Sequence, residues 1–468
     1  MKILAFGKDP DGKLLFEPAE EALIAKSLLA ALKREISGVR ASAAITDRGV
    51  KLRGEIKRRV VDAGDPREVG WSFLVAHNDP QRADIERILR PLAAYRGMPD
   101  PAVPLVFGGE QGGEWLQEAY FGLPLDGKPV PQYVLMVGEP SYLPFKLQSV
   151  LGTVANVGRV SFGLDELEQY VQKILRIENS PEPAVQRQVI LFGPDEDGES
   201  DPTYFSRKYM VEPLRDHVRD KLGFEVTSLI GADATKESLV RILREANPAL
   251  VYTASHGLAA SARNRTIQLR YNGAICCRTD SGRIMDALFS ADDVPADEPF
   301  LEGCVFFQFA CFGYGTPAES DYSHWLRGIP TQYAPGDFLA ALPRRLLAHP
   351  RGPIAYIGHL DTAFLHGFVD PRDPHAPQRW DTRIQPYVHA VNQLLSVQPS
   401  GLAMEHMVKR LNVANQLLII YYDRQRRGAL DVNADSTRIL IDNWIFRSDA
   451  QNYMILGDPA ARLRIPDV

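Results

Sequence analysis

The sequence has few cysteines and no long uncharged apolar stretch. Only four of its 468 residues are cysteines, and none makes the C-x-x-C spacing of a zinc site or the framework of a disulfide scaffold. The sequence therefore predicts reduced, mostly buried thiols. No stretch reaches the length of a membrane span, and Lys8 and Asp9 come too early for a signal peptide. We therefore predict a cytoplasmic protein without a membrane partner.

The sequence also has fewer basic than acidic residues. The 53 Lys and Arg residues are outnumbered by 59 Asp and Glu, and the formal net charge is −6. No Lys/Arg-rich run offers a track for phosphates, so nucleic acid is not an expected partner. The Gly-rich stretches 106–115 and 311–317 lack the Lys-Ser/Thr of a phosphate loop, which disfavours a nucleotide-binding α/β protein.

Short apolar runs bounded by Gly and Pro alternate with longer helical patterns along the chain. The run WSFLVAH at 71–77, for example, precedes a helical pattern over 79–95. This alternation is typical of β-α units, and it predicts an α/β fold with a mostly parallel sheet and helices on both faces.

The length predicts two or three domains. We expect a partly helical lead-in over 1–70, with an amphipathic helix over 17–36, and a smaller α/β subdomain over 71–180. The polar, proline-marked stretch 178–188 predicts a boundary, and a larger α/β subdomain follows over 187–468. The smaller subdomain is expected to form a layer packed beside the sheet of the larger one.

Two stretches end an apolar strand with a chemically active residue beside a small one. His256 follows PALVYTAS and precedes Gly257, and Cys311 follows CVFFQFA. Sites in open α/β sheets lie at the carboxyl ends of strands, so the two strands can bring an imidazole and a thiol together. A thiolate is a nucleophile that an imidazole can activate, and the N–H groups of Gly257 and Cys311 can stabilise an oxyanion.

Each residue also has a structural explanation, because a free cysteine is usually buried packing and a strand-end histidine often only completes a hydrogen bond. A second His-Gly pair, His366-Gly367, lies after Cys311 in the sequence, and its histidine is the alternative candidate for the base. Cys304 and the pair at 276–277 have no base nearby in the sequence and are expected to be packing residues.

An apolar block before His256-Gly257 and a second one before Ala310-Cys311 resemble the motifs of the caspase-like cysteine peptidases. The stretches 133–178, 352–364 and 452–463 resemble, in the same order, segments of the gingipain-like branch. The compact layout is similar to bacterial CHAT-type proteases, which act on a dedicated partner. The resemblance covers about residues 130–463. It implies a caspase-like fold over 187–468 and a gingipain-like first subdomain.

The resemblance also implies a specificity pocket. In this family the loop after the first catalytic strand helps to form it, which points to Asp195 and Asp197 in PDEDGESD. The stretch 352–364, which resembles the strand after the catalytic cysteine, would form the opposite wall of the pocket and contribute His359, Asp361 and Phe364. Carboxylates in such a pocket pair best with cations, which predicts cleavage after Arg or Lys; alternatively, the acidic loop is a solvated turn.

We therefore expect a cysteine endopeptidase that cleaves a protein substrate with Cys311 as nucleophile and His256 as base and then acid. The chemistry needs neither a cofactor nor a metal, and the loop at 194–201 lacks the spacing of a calcium hand. The alternative is a catalytically silent scaffold or sensor module of the same fold. A retained Cys-His pair argues against it.

Overall fold

The structure, a computed structural model, covers most of the chain. It describes residues 2–15, 19–20, 39–40, 43–44, 62–99, 101–122, 130–196, 198–323, 332–369, 383–429 and 434–466. The helix predicted over 17–36 lies outside these ranges except at Ala19–Glu20, which pairs antiparallel with Lys2–Ile3 as a short strand.

Ten strands form one central sheet that joins both halves of the chain. Numbered in chain order, they are β1 Trp71–Ala76, β2 Leu105–Phe107, β3 Tyr133–Val137, β4 Asn156–Val160, β5 Gln186–Pro194, β6 Glu225–Gly231, β7 Pro248–Ala254, β8 Val305–Phe309, β9 Ala355–His359 and β10 Tyr453–Gly457. Their order across the sheet is β2-β1-β3-β4-β10-β9-β8-β7-β5-β6.

The sheet consists of two parallel halves that meet at one antiparallel pair. β10 lies parallel to β4 and antiparallel to β9, and every other neighbouring pair is parallel. The strands before residue 180 thus continue the sheet edge to edge instead of forming the separate layer expected from the sequence. The last strand of the chain supplies the join.

Both faces of the sheet are covered, as the predicted α/β fold requires. Along β1 the residues Phe73 and Val75 belong to one buried apolar cluster, whereas Leu74 and Ala76 belong to another. Successive side chains of a strand point to opposite faces, so the alternation along β1 means that apolar residues pack on both faces there. Along β7 the successive residues 249–252 are all buried in one cluster, so both faces are covered there too. The predicted fold class, α/β with a mostly parallel sheet and helices on both faces, is confirmed.

The longer helices connect the strands. They are α1 Arg82–Tyr95, α2 Phe145–Gly152, α3 Leu164–Asn179, α4 Glu212–Leu222, α5 Lys236–Glu245, α6 Arg265–Tyr271, α7 Ala341–Ala348, α8 Gln385–Leu395, α9 Glu405–Arg426 and α10 Ala434–Asn452. Shorter helical turns are Pro66–Val69, Gly112–Trp115 and Pro202–Ser206. Among the helices that the structure describes, none is both long and apolar enough to cross a bilayer.

A buried carboxylate just after β10 ties the two ends of the chain together. Asp458 accepts hydrogen bonds from the indole of Trp71 at 2.9 Å and from Nε of Arg96 at 2.8 Å. Arg96 also pairs with Glu178 near the end of α3, whose side chain is 8% exposed. A buried carboxylate is tolerated when it is paired and hydrogen-bonded, and here the partners come from the first half of the sheet.

A small four-stranded sheet lies beside the carboxyl ends of β7 and β8. Its order is Leu288–Phe289, Ile275–Cys276, Gly257–Leu258 and Gly7–Lys8. The first three strands come from the region that follows β7, and the fourth comes from the start of the chain. This small sheet brings residues 5–8 to the edge where His256 and Cys311 lie.

Candidate active site

His256 and Cys311 lie at one edge of the central sheet because β7 and β8 pair in register. Ala254, near the end of β7, lies opposite Phe309 at the end of β8. Each of the two candidate residues then follows two positions beyond this pair. The expectation that they emerge from neighbouring strands is confirmed.

The backbone N–H groups that follow these strands converge on a single oxygen. Gly257 donates to the carbonyl oxygen of Phe6 at 3.0 Å, and Cys311 donates to the same oxygen at 3.2 Å. A Cβ on Gly257 would collide with the carbonyl oxygen of Cys311, so only glycine allows the two segments to approach this closely. The two predicted oxyanion donors therefore form one pocket for a carbonyl oxygen.

The thiol of Cys311 is fully buried. Its Sγ accepts a hydrogen bond from the N–H of Ala363 at 3.2 Å. Burial raises the pKa of the Cys311 thiol well above its usual range, because a desolvated thiolate is costly, and the N–H of Ala363 offsets only part of this. The thiol is therefore protonated at neutral pH, and its activation needs a base.

The imidazole of His256 is held by a carboxylate. Its Nε2 lies 2.9 Å and 3.0 Å from the two carboxylate oxygens of Asp201. Burial alone would raise the pKa of Asp201, but the charge and hydrogen bond of His256, together with Lys8 and Thr203, hold it well below its usual value. An ionised carboxylate accepts a hydrogen bond from Nε2–H, which leaves Nδ1 with its lone pair. Nδ1 is buried and has no hydrogen-bond partner among the described residues.

Asp201 was missed by the sequence analysis. Its side chain caps the turn Pro202–Ser206 by accepting the N–H of Thr203 at 2.8 Å, and it reaches His256 across 55 positions of the chain. An aspartate before a proline is a recognisable helix start, so the cap could have been predicted. Its second contact could not, because it depends on how β5 and β7 pair in the sheet.

In the acidic loop after β5, the carboxylate of Asp195 has partners close by in the sequence. Asp195 pairs with Arg207 at 3.0 Å and accepts the N–H of Gly198 at 3.1 Å. Asp197 lies outside the described residues. The pocket role of Asp195 and Asp197 stays a prediction, and Asp195 already has a cation.

The segment after β9 lies against Cys311, whose Sγ accepts the N–H of Ala363. Phe312, the residue after Cys311, donates its N–H to the carbonyl oxygen of Asp361 at 3.1 Å. His359 approaches that same carbonyl oxygen with its Nδ1 at 2.8 Å. The ring of Phe364 packs edge-on against Tyr322 with 4.7 Å between centroids. These residues form a wall beside the thiol.

The carboxylate of Asp361 is an unusual part of this wall. It is buried and accepts hydrogen bonds from the hydroxyl of Ser320 and the N–H groups of Asp321 and Thr362. Burial, reinforced by the charge of Asp321, raises its pKa to about 6. The carboxylate therefore faces its own protein neighbours and holds a proton more tightly than an exposed one.

The raised pKa of Asp361 predicts a pH-dependent stability. Between about pH 4 and 6 the folded protein binds this proton more tightly than the unfolded chain, so the free energy of unfolding falls as pH rises. Asp361→Asn removes this loss. We expect the free energy of unfolding of wild type, minus that of the variant, to fall by about 2 kcal/mol from pH 4.5 to pH 7. Denaturant titrations measure it, with Asp280→Asn at a 91% exposed side chain as the control. Parallel profiles for wild type and Asp361→Asn would contradict the prediction.

The remaining thiols are free and buried, as predicted. Cys276 belongs to the small sheet, and Cys304 directly precedes β8. The alternative base, His366, is buried in the turn Leu365–Gly367. Among the described residues no group of three His, Cys, Asp or Glu side chains is arranged to hold a metal ion.

Comparison with known proteins finds similar solved structures at low sequence identity. No family model and no curated protein sequence matches the chain. Structural neighbours include the complex of the pro- and mature domains of RgpB from Porphyromonas gingivalis, at 12% identity and a TM-score of 0.47, covering 84% of this chain and 79% of that one. The Arg-specific cysteine proteinase gingipain R follows at 12% identity and 0.46, covering 86% and 80%. A structure named only as a protease has 13% identity and 0.49, covering 86% and 81%.

Proposed function

We propose that this protein is a cysteine endopeptidase, with Cys311 as nucleophile, His256 as base and then acid, and Asp201 as the residue that positions His256. One observation carries the proposal: the N–H groups of Gly257 and Cys311 converge on one carbonyl oxygen beside the thiol. Such a pair of donors stabilises the negative oxygen that forms when a nucleophile attacks a carbonyl.

The reaction would begin with proton transfer from Sγ of Cys311 to Nδ1 of His256. Ionised Asp201, bonded to Nε2, stabilises the imidazolium that results. The thiolate attacks the carbonyl carbon, and the N–H groups of Gly257 and Cys311 hold the oxyanion. His256 then returns the proton to the leaving amine, and a thioester forms as the peptide bond breaks. Water, deprotonated by His256, hydrolyses the thioester.

The contacts of the predicted pocket residues give little support to a preference for Arg or Lys before the cleaved bond. Asp195 is paired with Arg207, and Asp361 accepts three hydrogen bonds from its own neighbours. A carboxylate that already has its partners is a weaker anchor for a cationic substrate. We therefore leave a preference for Arg or Lys out of the proposed function, and a peptide panel that varies only the residue before the cleaved bond tests it.

The alternative function is a silent scaffold of the same fold that binds a protein partner. A peptidyl acyloxymethyl ketone, which alkylates activated thiols, separates the two. Because the carbonyl group of Phe6 occupies the pocket formed by the N–H groups of Gly257 and Cys311, the test uses the protein that begins at Gly7 and so lacks Phe6. We expect the ketone to label Cys311 alone among the four cysteines, as read by peptide mapping. Cys304→Ala should label equally, and Cys311→Ala should not. A folded protein whose Cys311 stays unlabelled would support the scaffold.

A further inference from the structure

We propose that residues 4–8 lie in the active site as a peptide substrate would, and that the enzyme cleaves its own chain between Phe6 and Gly7. The proposal rests on the proposed function and adds the substrate class to it: a large apolar residue before the cleaved bond. It follows from the position of this segment, which neither its composition nor any motif marks out.

On the N-terminal side of the Phe6–Gly7 bond, residues 4–6 are hydrogen-bonded along residues 363–365. The N–H of Phe6 donates to the carbonyl oxygen of Ala363 at 2.9 Å, and the N–H of Leu365 donates to that of Leu4 at 3.0 Å. Between them, Ala5 pairs antiparallel with Phe364. An extended peptide that adds a strand to an existing edge is a common mode of peptide binding, since backbone hydrogen bonds hold any sequence.

The segment is also hydrogen-bonded on the C-terminal side of the Phe6–Gly7 peptide bond. Gly7 and Lys8 pair parallel with Gly257–Leu258, and the carbonyl oxygen of Lys8 accepts the N–H of Ala259 at 2.9 Å. The chain is therefore fixed on each side of the Phe6 carbonyl group. A peptide bond held at both ends is positioned for attack, which lowers the entropic cost of reaching the transition state.

The Phe6 carbonyl group itself is in the reactive position. Its oxygen is the one that accepts the N–H groups of Gly257 and Cys311. A Cβ placed on Gly7 would lie 3.3 Å from Sγ of Cys311, so the thiol lies against the peptide that follows Phe6. Of the peptide bonds in the segment, the one between Phe6 and Gly7 has both the oxyanion donors and the nucleophile beside it.

The side chain of Phe6 shows what the pocket accepts. It is fully buried, and its ring meets that of Phe309 edge-on at 4.8 Å and that of Phe368 at 5.8 Å. The imidazole of His256 is the third ring, at 6.0 Å. Phe309 stands two residues before Cys311 on β8 and thus borders the site directly. An aromatic pocket favours a large apolar side chain and penalises a charged one, which would lose its hydration there.

Lys8, two positions after Phe6, pairs with acidic residues near the site. Lys8 pairs with Glu196 of the loop after β5, and its Nζ lies 3.6 Å from Asp201. Both carboxylates are nearly buried, and so is the Lys8 side chain, which makes these pairs stronger than surface ones. The acidic loop therefore recognises a basic residue on the leaving side of the cleaved bond.

The self-cleavage balances as an ordinary hydrolysis. Sγ of Cys311 forms a thioester with the Phe6 carbonyl carbon, the bond to the Gly7 nitrogen breaks, and His256 protonates that nitrogen. Water then releases Phe6 as a carboxylate and restores the thiol. Until this happens, the segment excludes other substrates from the site; afterwards the part up to Phe6 can leave.

Intact-mass measurement and N-terminal sequencing of the purified full chain test the proposal. We expect a new N-terminus at Gly7 in wild type and in Phe6→Leu, and an uncut chain in Cys311→Ala and Phe6→Glu. Peptides with the sequence Lys-Ile-Leu-Ala-Xaa before a fluorogenic amide, given to the protein that begins at Gly7, should turn over about 100-fold faster with Phe or Leu than with Arg, Lys or Asp at Xaa.

The outcomes separate the two proposals. An uncut wild-type chain whose Gly7 form nevertheless cleaves peptides would overturn the self-cleavage and leave the peptidase standing. Faster turnover of the Arg or Lys peptides would overturn the apolar pocket. If the Gly7 form, folded by circular dichroism, neither cleaves any peptide of the panel nor labels at Cys311, the proposed function itself fails.

Discussion

Cys311→Ala is expected to lose peptide cleavage by a factor of about 10⁴ or more while the protein remains folded. The thiol acts only in the reaction, because alanine keeps the backbone N–H at 311 that donates to the carbonyl oxygen of the bound segment. The uncut variant would keep residues 4–8 in the site, so the comparison is made with wild type and variant that both begin at Gly7, where substrate binding and the oxyanion pocket should survive without the nucleophile. Turnover of a fluorogenic peptide with Phe before the bond measures the loss, and thermal unfolding measures the fold.

Cys304→Ala is the matched control for this variant. Cys304 is also free, fully buried and next to β8, so its replacement likewise removes one buried thiol from the apolar core. It should change stability as Cys311→Ala does and leave the rate near that of wild type. Full cleavage by a folded Cys311→Ala protein would contradict the assignment of the nucleophile, and an equal loss in Cys304→Ala would indicate damage to the fold.

His256→Ala is expected to lower kcat by about 10⁴-fold, and Asp201→Asn by about 10³-fold, because both remove parts of one proton-transfer unit. Asp201 acts through His256: its carboxylate bonds Nε2 at 2.9 Å and so determines which nitrogen is free to accept the thiol proton. Measured in proteins that begin at Gly7, so that residues 4–6 do not cover the site, the loss should appear in kcat with little change in KM. The double variant should be no slower than His256→Ala alone, since removing one member already disables the unit.

His366→Ala is the control for this pair of variants. It removes the imidazole of the second His-Gly motif, which lies in the turn Leu365–Gly367, and the rate should stay near that of wild type in protein that remains folded. A loss of activity in His366→Ala as large as in His256→Ala would contradict the assignment of His256 as the base. An Asp201→Asn protein that keeps the wild-type kcat would remove Asp201 from the mechanism.

A large part of the site could be predicted from the sequence because it depends on local pattern. The apolar runs before His256 and Cys311 are strands that are buried throughout, and a parallel sheet places the ends of such strands at one edge. The N–H groups of Gly257 and Cys311 were expected to stabilise an oxyanion, and in the structure both donate to one carbonyl oxygen. These features follow from hydrophobicity, residue size and strand direction, which are properties of short segments.

Three features could be decided only by the tertiary structure. Asp201 reaches His256 because β5 and β7 are neighbours in the sheet, β10 inserts between β4 and β9 at the junction of two parallel halves, and residues 4–8 cross the site. Each depends on which distant segments pair, and pairing uses backbone N–H and C=O groups that nearly all residues share. The sequence thus determined which residues can do chemistry and where strands end. The packing of the whole chain decided which carboxylate positions the histidine and which peptide bond lies beside the thiol.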